Sequence, residues 1–194
     1  MTGPREWPVD LDGVTESVVA TRGPGGAWNF AALGLHAGEP ATARTWGRTR
    51  TRRNFEREGS GIVQFVHDPV VFTECALSVL ERDSPVHPAA AAWARVDVER
   101  VQTGESGDTE WAEWELVPTE SAVESRTVPT TNRGYGAVIE ATVAASRLDV
   151  SGYDTADLQD RLAFFEDVVA TCGGERERAA MALVGDLSAW DGAD

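Results

Sequence analysis

At 194 residues, 42% hydrophobic and 25% charged, the chain holds enough apolar material for one substantial core, or one domain with a smaller appendage, and too much for a disordered protein. Its formal net charge is -15 and all 17 basic residues are Arg, a balance that repels polyanions and fits a halophilic archaeon, whose proteins stay hydrated through surface carboxylates. No apolar run of about twenty residues occurs, and the N-terminus lacks the basic and apolar regions of a signal peptide, so the expectation is a cytoplasmic protein without a membrane span.

Residues 1–13, punctuated by Pro and Gly, read as an irregular lead-in. Residues 15–21 form a β-rich run, residues 22–26 (Arg-Gly-Pro-Gly-Gly) are turn chemistry, and residues 28–35 form a second run, so a hairpin is predicted. The Arg-rich stretch 44–57 follows as a third strand running into a loop or short helix around residues 52–58. Residues 62–66 (Ile-Val-Gln-Phe-Val) are apolar enough for a buried strand. Asp68 before Pro69 is a helix-start signal, and the helix is expected to run toward Leu80. After a Pro-containing loop, residues 93–101 and 109–116 alternate and make an antiparallel hairpin with an acidic outer face. A polar segment from residue 119 to Thr131 leads to a helical period from Tyr135 to Leu148. A second helix starts at Asp154 or Thr155 and ends at Gly173-Gly174, and a third runs from Glu175 to about Trp190. The apolar stripes of this C-terminal third read as core.

The stretch 44–57 concentrates six Arg against one Glu. Guanidinium forks bind phosphate oxygens, and Thr49, Thr51 and Asn54 add neutral hydrogen-bonding groups, so Arg48, Thr49, Arg50, Thr51 and Asn54 are candidate phosphate ligands. The alternative is plainer: Arg and Thr alternating along a strand can be a solvated sheet face paired with carboxylates. Other chemistry is missing. There is no nucleophile elbow, no phosphate loop ending in Gly-Lys-Ser/Thr and no His-Glu-x-x-His. His36, His67 and His87 have no Cys or His at ligand spacing, so no metal site is expected. His67-Asp68 could be a proton-transfer pair, but a strand end and a helix cap explain both residues. Cys75 and Cys172 are expected to be free, buried thiols. The small residues Ala31, Ala32 and Gly34 would let a flat ring lie close to main-chain donors, so a ring tailed by a phosphate suits the strand and the Arg stretch together.

A resemblance adds to this. The ordered set Glu16-Ser17-Val18-Val19-Ala20-Thr21, Asn29-Phe30-Ala31-Ala32-Leu33-Gly34-Leu35, Arg50-Thr51-Arg52-Arg53-Asn54-Phe55, Asp68-Pro69 with Phe72, and Asn132-Arg133-Gly134 with Ile139-Glu140-Ala141 and Ser146-Arg147-Leu148 resembles the mainly archaeal family known as domain of unknown function 447. That family is similar to the FMN-binding split barrels of the flavin reductase kind. The resemblance spans roughly residues 13–190. It implies an α+β, mainly β fold: an FMN-binding split β-barrel over residues 1–130 with a C-terminal helical addition, residues 131–194, packed on it. It further implies a homodimer with FMN at the subunit interface. By position, Arg50, Thr51 and Asn54 would hold the phosphate, and Asn29 with the backbone at Ala31 and Ala32 would lie along the ring. Ala32 stands where the family usually has Pro. Asn132 and Arg133 would either close over the ligand or cap a helix.

Three functions remain open from sequence. One is a flavoprotein passing hydride or electrons from a nicotinamide or deazaflavin donor to an acceptor. Another is a non-catalytic FMN carrier or sensor. The third, disfavoured by net charge, is a nucleic-acid binder using the Arg stretch with Trp28 and Trp46 as stacking platforms.

Overall fold

A computed structural model of the protein describes residues 6–190 and Gly192; residues 1–5 of the expected lead-in and the remaining C-terminal residues lie outside the described residues. In chain order the elements are β1 (Val14–Arg22), β2 (Trp28–His36), β3 (Ala41–Trp46), α1 (Arg50–Glu58), β4 (Ser60–Val66), α2 (Pro69–Leu77), β5 (Leu80–Arg82), β6 (Ala90–Ser106), β7 (Thr109–Val123), α3 (Arg133–Ala145), α4 (Thr155–Cys172) and α5 (Glu175–Leu187). They form two compact units. One comprises the residues up to His67 together with Val79–Arg126, and the other Asp68–Ser78 together with the residues from Thr127 on. Helix α2 lies in sequence within the range expected for the barrel, yet it clusters with the C-terminal helices.

The first unit is an antiparallel sheet in the order β1-β4-β6-β7-β3-β2-β5, in which β1 also pairs with β2. That extra pairing closes β1, β4, β6, β7, β3 and β2 into a barrel and leaves β5 appended to β2. Alternate side chains fill the interior, among them Val19, Leu33, Leu35, Val63, Phe65, Ala94, Val96, Trp114 and Leu116. The lead-in is irregular but not idle, since Trp7, Val9 and Leu11 pack on this core and Trp7 meets Phe65 edge-on at 6.4 Å. Two buried hydrogen bonds tie polar groups of this unit: Trp114 Nε1 donates to Thr45 Oγ1 at 2.9 Å, and His87 N donates to Gln64 Oε1 at 2.6 Å.

Three elements differ from the sequence expectation. Strand β7 continues past Leu116 to Val123, into the stretch expected as a polar segment from residue 119. Pro118 stands opposite Val96 at a register shift between Arg95 and Val96, and a bulge is where a sheet tolerates Pro. Strand β6 likewise runs through Gly104, against which the Trp111 ring lies so closely that a Cβ there would come within 2.5 Å of it. Helix α2 stops at Leu77, and Leu80 instead opens β5, which pairs with Trp28, Asn29 and Phe30.

The second unit is helical. Asp68 caps α2 by accepting from Val70 N at 3.0 Å and Val71 N at 3.4 Å, and its other carboxylate oxygen accepts from Arg176 of α5. Ala137, Val138, Ala141, Leu158, Leu162, Val169, Met181 and Val184 form the core, with Val70 and Leu77 of α2 packed against it. Gly134 opens α3 where a Cβ would come within 2.5 Å of the Gly173 Cα at the end of α4, so the two backbones meet directly. Cys75 and Cys172 are both free, Cys75 buried and Cys172 half-buried. Among the described residues no helix is long and apolar enough to cross a membrane.

Candidate functional site

The Arg stretch folds as a strand end, a turn and a helix. Thr49 N-caps α1, its hydroxyl accepting from Arg52 N at 3.3 Å. Gly59 ends it in the left-handed conformation at φ 60°, with its N–H on the Phe55 carbonyl. Phe55 is buried in the barrel core, edge-on to Trp114 at 5.2 Å, and fixes which face of the helix turns inward. Helical spacing then sends the remaining residues two ways. Arg50, Arg53, Asn54 and Arg57 fall on one flank, Arg52 and Glu56 on the other.

The first flank lines a cleft of ≈ 400 Å³ with Asn29, Glu81 and Gly23, Pro24, Gly25 and Ala27 of the β1–β2 turn. Asn54 joins helix to barrel: its Nδ2 donates to Thr21 Oγ1 at 2.9 Å, and its Oδ1 accepts from Arg57 at 2.9 Å. Arg57 also reaches the Arg22 carbonyl and the Glu58 carboxylate. Arg50 Nη1 donates to Glu81 Oε1 at 2.6 Å. Two groups in the cleft are uncommitted among the described residues. The Asn29 side chain, only 5% exposed, makes no hydrogen bond, and Arg53 has no ion pair. A nearly buried amide opening onto a cleft beside an unpaired guanidinium is short of an acceptor that carries negative charge.

Strand β2 has a second feature next to this cleft. One edge pairs with β1 along the whole strand; the other pairs with β5 at residues 28–30 and with β3 at residues 35–36. Residues 31–34 have no strand neighbour on that second edge among the described residues, so alternate backbone N–H and C=O groups there are available to a ligand. Ala31 and Ala32 lie within this gap, both half-buried, with side chains on opposite faces of the sheet.

The remaining candidates lie elsewhere. Arg48 lines a second cleft of ≈ 570 Å³ with Arg52, Arg100, Thr103, Gly104, Glu105, Glu110 and Trp111. Thr49 is the cap already described. Thr51 is buried on the inward face of α1 and lines neither cleft. Asn132 caps α3 through Gly134 N at 2.8 Å, which is the capping alternative, and Arg133 is exposed. Asp68 has its oxygens on the α2 cap and on Arg176, and exposed His67 is not hydrogen-bonded to it. Among the described residues no cluster of His, Cys, Asp or Glu could hold a metal ion. Trp46 is exposed and Trp28 half-buried opposite Arg82.

Arg53, Arg57, Glu81 and the turn residues Gly23, Pro24, Gly25 and Ala27 line the cleft but were not among the residues singled out from sequence. The Arg52-Arg53 doublet is the signal that could have found Arg53, because adjacent residues of a helix face different flanks. Nothing local marks Glu81, which reaches the cleft through the pairing of β5 with β2.

Comparisons with known proteins bear on the whole chain. A family model described as "Protein of unknown function (DUF447) N-terminal domain" matches residues 15–125, and one described as "Protein of unknown function (DUF447)" matches residues 132–186. An FMN-bound protein from Methanosarcina mazei, itself assigned to DUF447, is 25% identical, with 91% of this chain and 96% of that one covered at a TM-score of 0.78. The flavin reductase of styrene monooxygenase from Pseudomonas putida S12 is 12% identical, covering 60% of this chain and 93% of that one, with a TM-score of 0.43. Flavoredoxin from Methanosarcina acetivorans is 13% identical, covering 65% and 79%, also at 0.43. No curated protein matches the chain. With both halves matched and a family member superposing along nearly its full length, the chain belongs to the DUF447 family.

Proposed function

We propose that this protein binds flavin mononucleotide, with the phosphate in the cleft beside α1 and the ring along the open edge of β2. The observation that carries the reading is the FMN-bound family member, similar to this chain over 91% of its length. The donor set fits the group: Arg53 and the Asn29 amide are uncommitted, Arg50 and Arg57 border the same cleft, and residues 31–34 offer main-chain groups beside it. The polyanion reading loses support on the same facts. Arg44, Arg48, Arg50, Arg52 and Arg57 each face a carboxylate, which leaves Arg53 as the cation of the stretch without one.

When bound, FMN supplies hydride and single-electron chemistry itself, so the chain's own task is to hold the phosphate, position the ring and limit water. We assign it the role of an oxidoreductase that takes electrons from a nicotinamide or deazaflavin donor and works as a homodimer in the cytoplasm. An absorbance spectrum of the purified protein, before and after adding FMN and desalting, tests the cofactor. Flavin bands that stay with the protein are expected, and a colourless protein that retains no added FMN overturns the reading. Bleaching by NADH, NADPH or a reduced deazaflavin, with turnover, is then expected; retained FMN that none of these reduces makes the protein a carrier or sensor.

A further inference from the structure

The cleft beside α1 contains a carboxylate among its guanidiniums, and the sheet puts it there. Glu81 is the central residue of β5 and stands opposite Asn29 of β2, which stands opposite Thr21 of β1. Directly opposed residues of antiparallel strands share a face, so Thr21, Asn29 and Glu81 form a row across three strands. Helix α1 engages both ends of that row: Asn54 Nδ2 donates to Thr21 Oγ1 at 2.9 Å, and Arg50 Nη1 donates to Glu81 Oε1 at 2.6 Å. The middle member, Asn29, is the uncommitted amide. The Arg50 and Glu81 side chains are 46% and 47% exposed, so the pair is wet and breaks without stranding a buried charge.

We propose that Glu81 is a built-in competitor for the anion of this site. It occupies Arg50 while the cleft is free and is displaced when a phosphomonoester enters. The proposal rests on the reading of this cleft as the phosphate site. A carboxylate tethered to the sheet is present at high effective concentration, so a weak monovalent anion such as chloride does not take its place. A phosphomonoester, carrying close to two negative charges at pH 7 and three acceptor oxygens, bonds Arg50, Arg53 and Asn29 together and does displace it. Glu81 thereby selects for the doubly charged anion at some cost in affinity. It also gives β5, a three-residue strand outside the closed barrel, a definite task.

The test is a titration of FMN, and separately of riboflavin, into the desalted full-length protein, followed by flavin fluorescence at low and at high chloride. The proteins compared are the parent, Glu81→Gln, Arg50→Gln, Arg53→Gln and the Glu81→Gln/Arg50→Gln double variant, each checked for an unchanged far-ultraviolet spectrum. Glu81→Gln is expected to tighten FMN by about two- to fivefold, the range of a half-exposed ion pair. It should leave riboflavin unmoved, make chloride a stronger competitor of FMN, and have no effect once Arg50 is replaced. Weaker or unchanged FMN binding in Glu81→Gln, or an equal shift for riboflavin, overturns the competitor. If Arg50→Gln and Arg53→Gln weaken FMN while Glu81→Gln fails to tighten it, only the competitor falls. If neither Arg variant changes FMN affinity, the phosphate lies elsewhere and both readings fall.

Discussion

On one flank of α1, Arg52 faces Glu56 at 3.5 Å and Glu110 at 3.4 Å, Arg100 faces Glu56 at 3.0 Å, and Arg48 approaches Glu110 at 3.9 Å. On the other, Arg50, Arg53 and Arg57 share a cleft in which Glu81 is the lining carboxylate, Arg53 is unpaired and a buried amide waits for a partner. The residue types are the same and the clefts are of similar size. What differs is whether the donors are already used. A count of positive charge therefore does not designate a site here; the uncommitted donors, Arg53 and the Asn29 amide, do.

The most severe way to break the comparison is to remove what holds both flanks in place. Phe55→Ala takes a buried ring from between helix and barrel and is expected to cost about 3–5 kcal/mol, read as a large drop in the urea midpoint with loss of FMN retention. A smaller change separates the flanks. Arg53→Gln removes a charged donor worth about 1.5–3 kcal/mol to its acceptor, so FMN should bind at least about tenfold more weakly with an unmoved unfolding midpoint. Arg100→Gln, on the other flank, should leave FMN affinity within about twofold. Equal losses from the two variants would mean that availability does not distinguish the clefts. The mildest expected effect falls on both flanks alike: Thr49→Ala deletes the cap of α1 and should lower stability by about 1 kcal/mol, visible in a denaturant titration.

Much of this was readable in the residues, for physical reasons that can be named. The buried run of β4, the Asp68-Pro69 start of α2, the Asp154 cap of α4 and the Gly173 end are local signals, and all are realised. The Arg stretch reads as a strand running into a loop or short helix only around residues 52–58, because Arg and Thr alternate from Arg48 to Arg52. Two local facts outweigh that alternation: a Thr able to cap at position 49 and an αL glycine at position 59, with Phe55 between them as the anchor. The fate of each Arg depends on this choice, since a strand puts Arg50 and Arg52 on one face, whereas the helix sends them to opposite flanks. The C-terminal half of β7, expected as a polar segment, pairs through a bulge at Pro118 that is defined by a partner strand more than twenty positions earlier in the sequence. Glu81 and Asn29 are further apart still, and no local pattern could have joined them.

The interleaving of the two units has a consequence for how the chain is made and cut. Helix α2 leaves the ribosome between two strands of the first unit, β4 and β5, and the helices whose core it shares are synthesised some fifty or more residues later. For that interval Val70 and Leu77 lack the partners they pack on in the finished protein. No single cut yields both units whole. A truncation near residue 130 keeps α2 and discards α3 and α5, with which it packs, and a C-terminal fragment lacks one of its own helices. An expression strategy that treats the barrel as a freestanding piece must either excise Asp68–Ser78 and bridge His67 to Val79 with a short linker, or supply the helical half in trans.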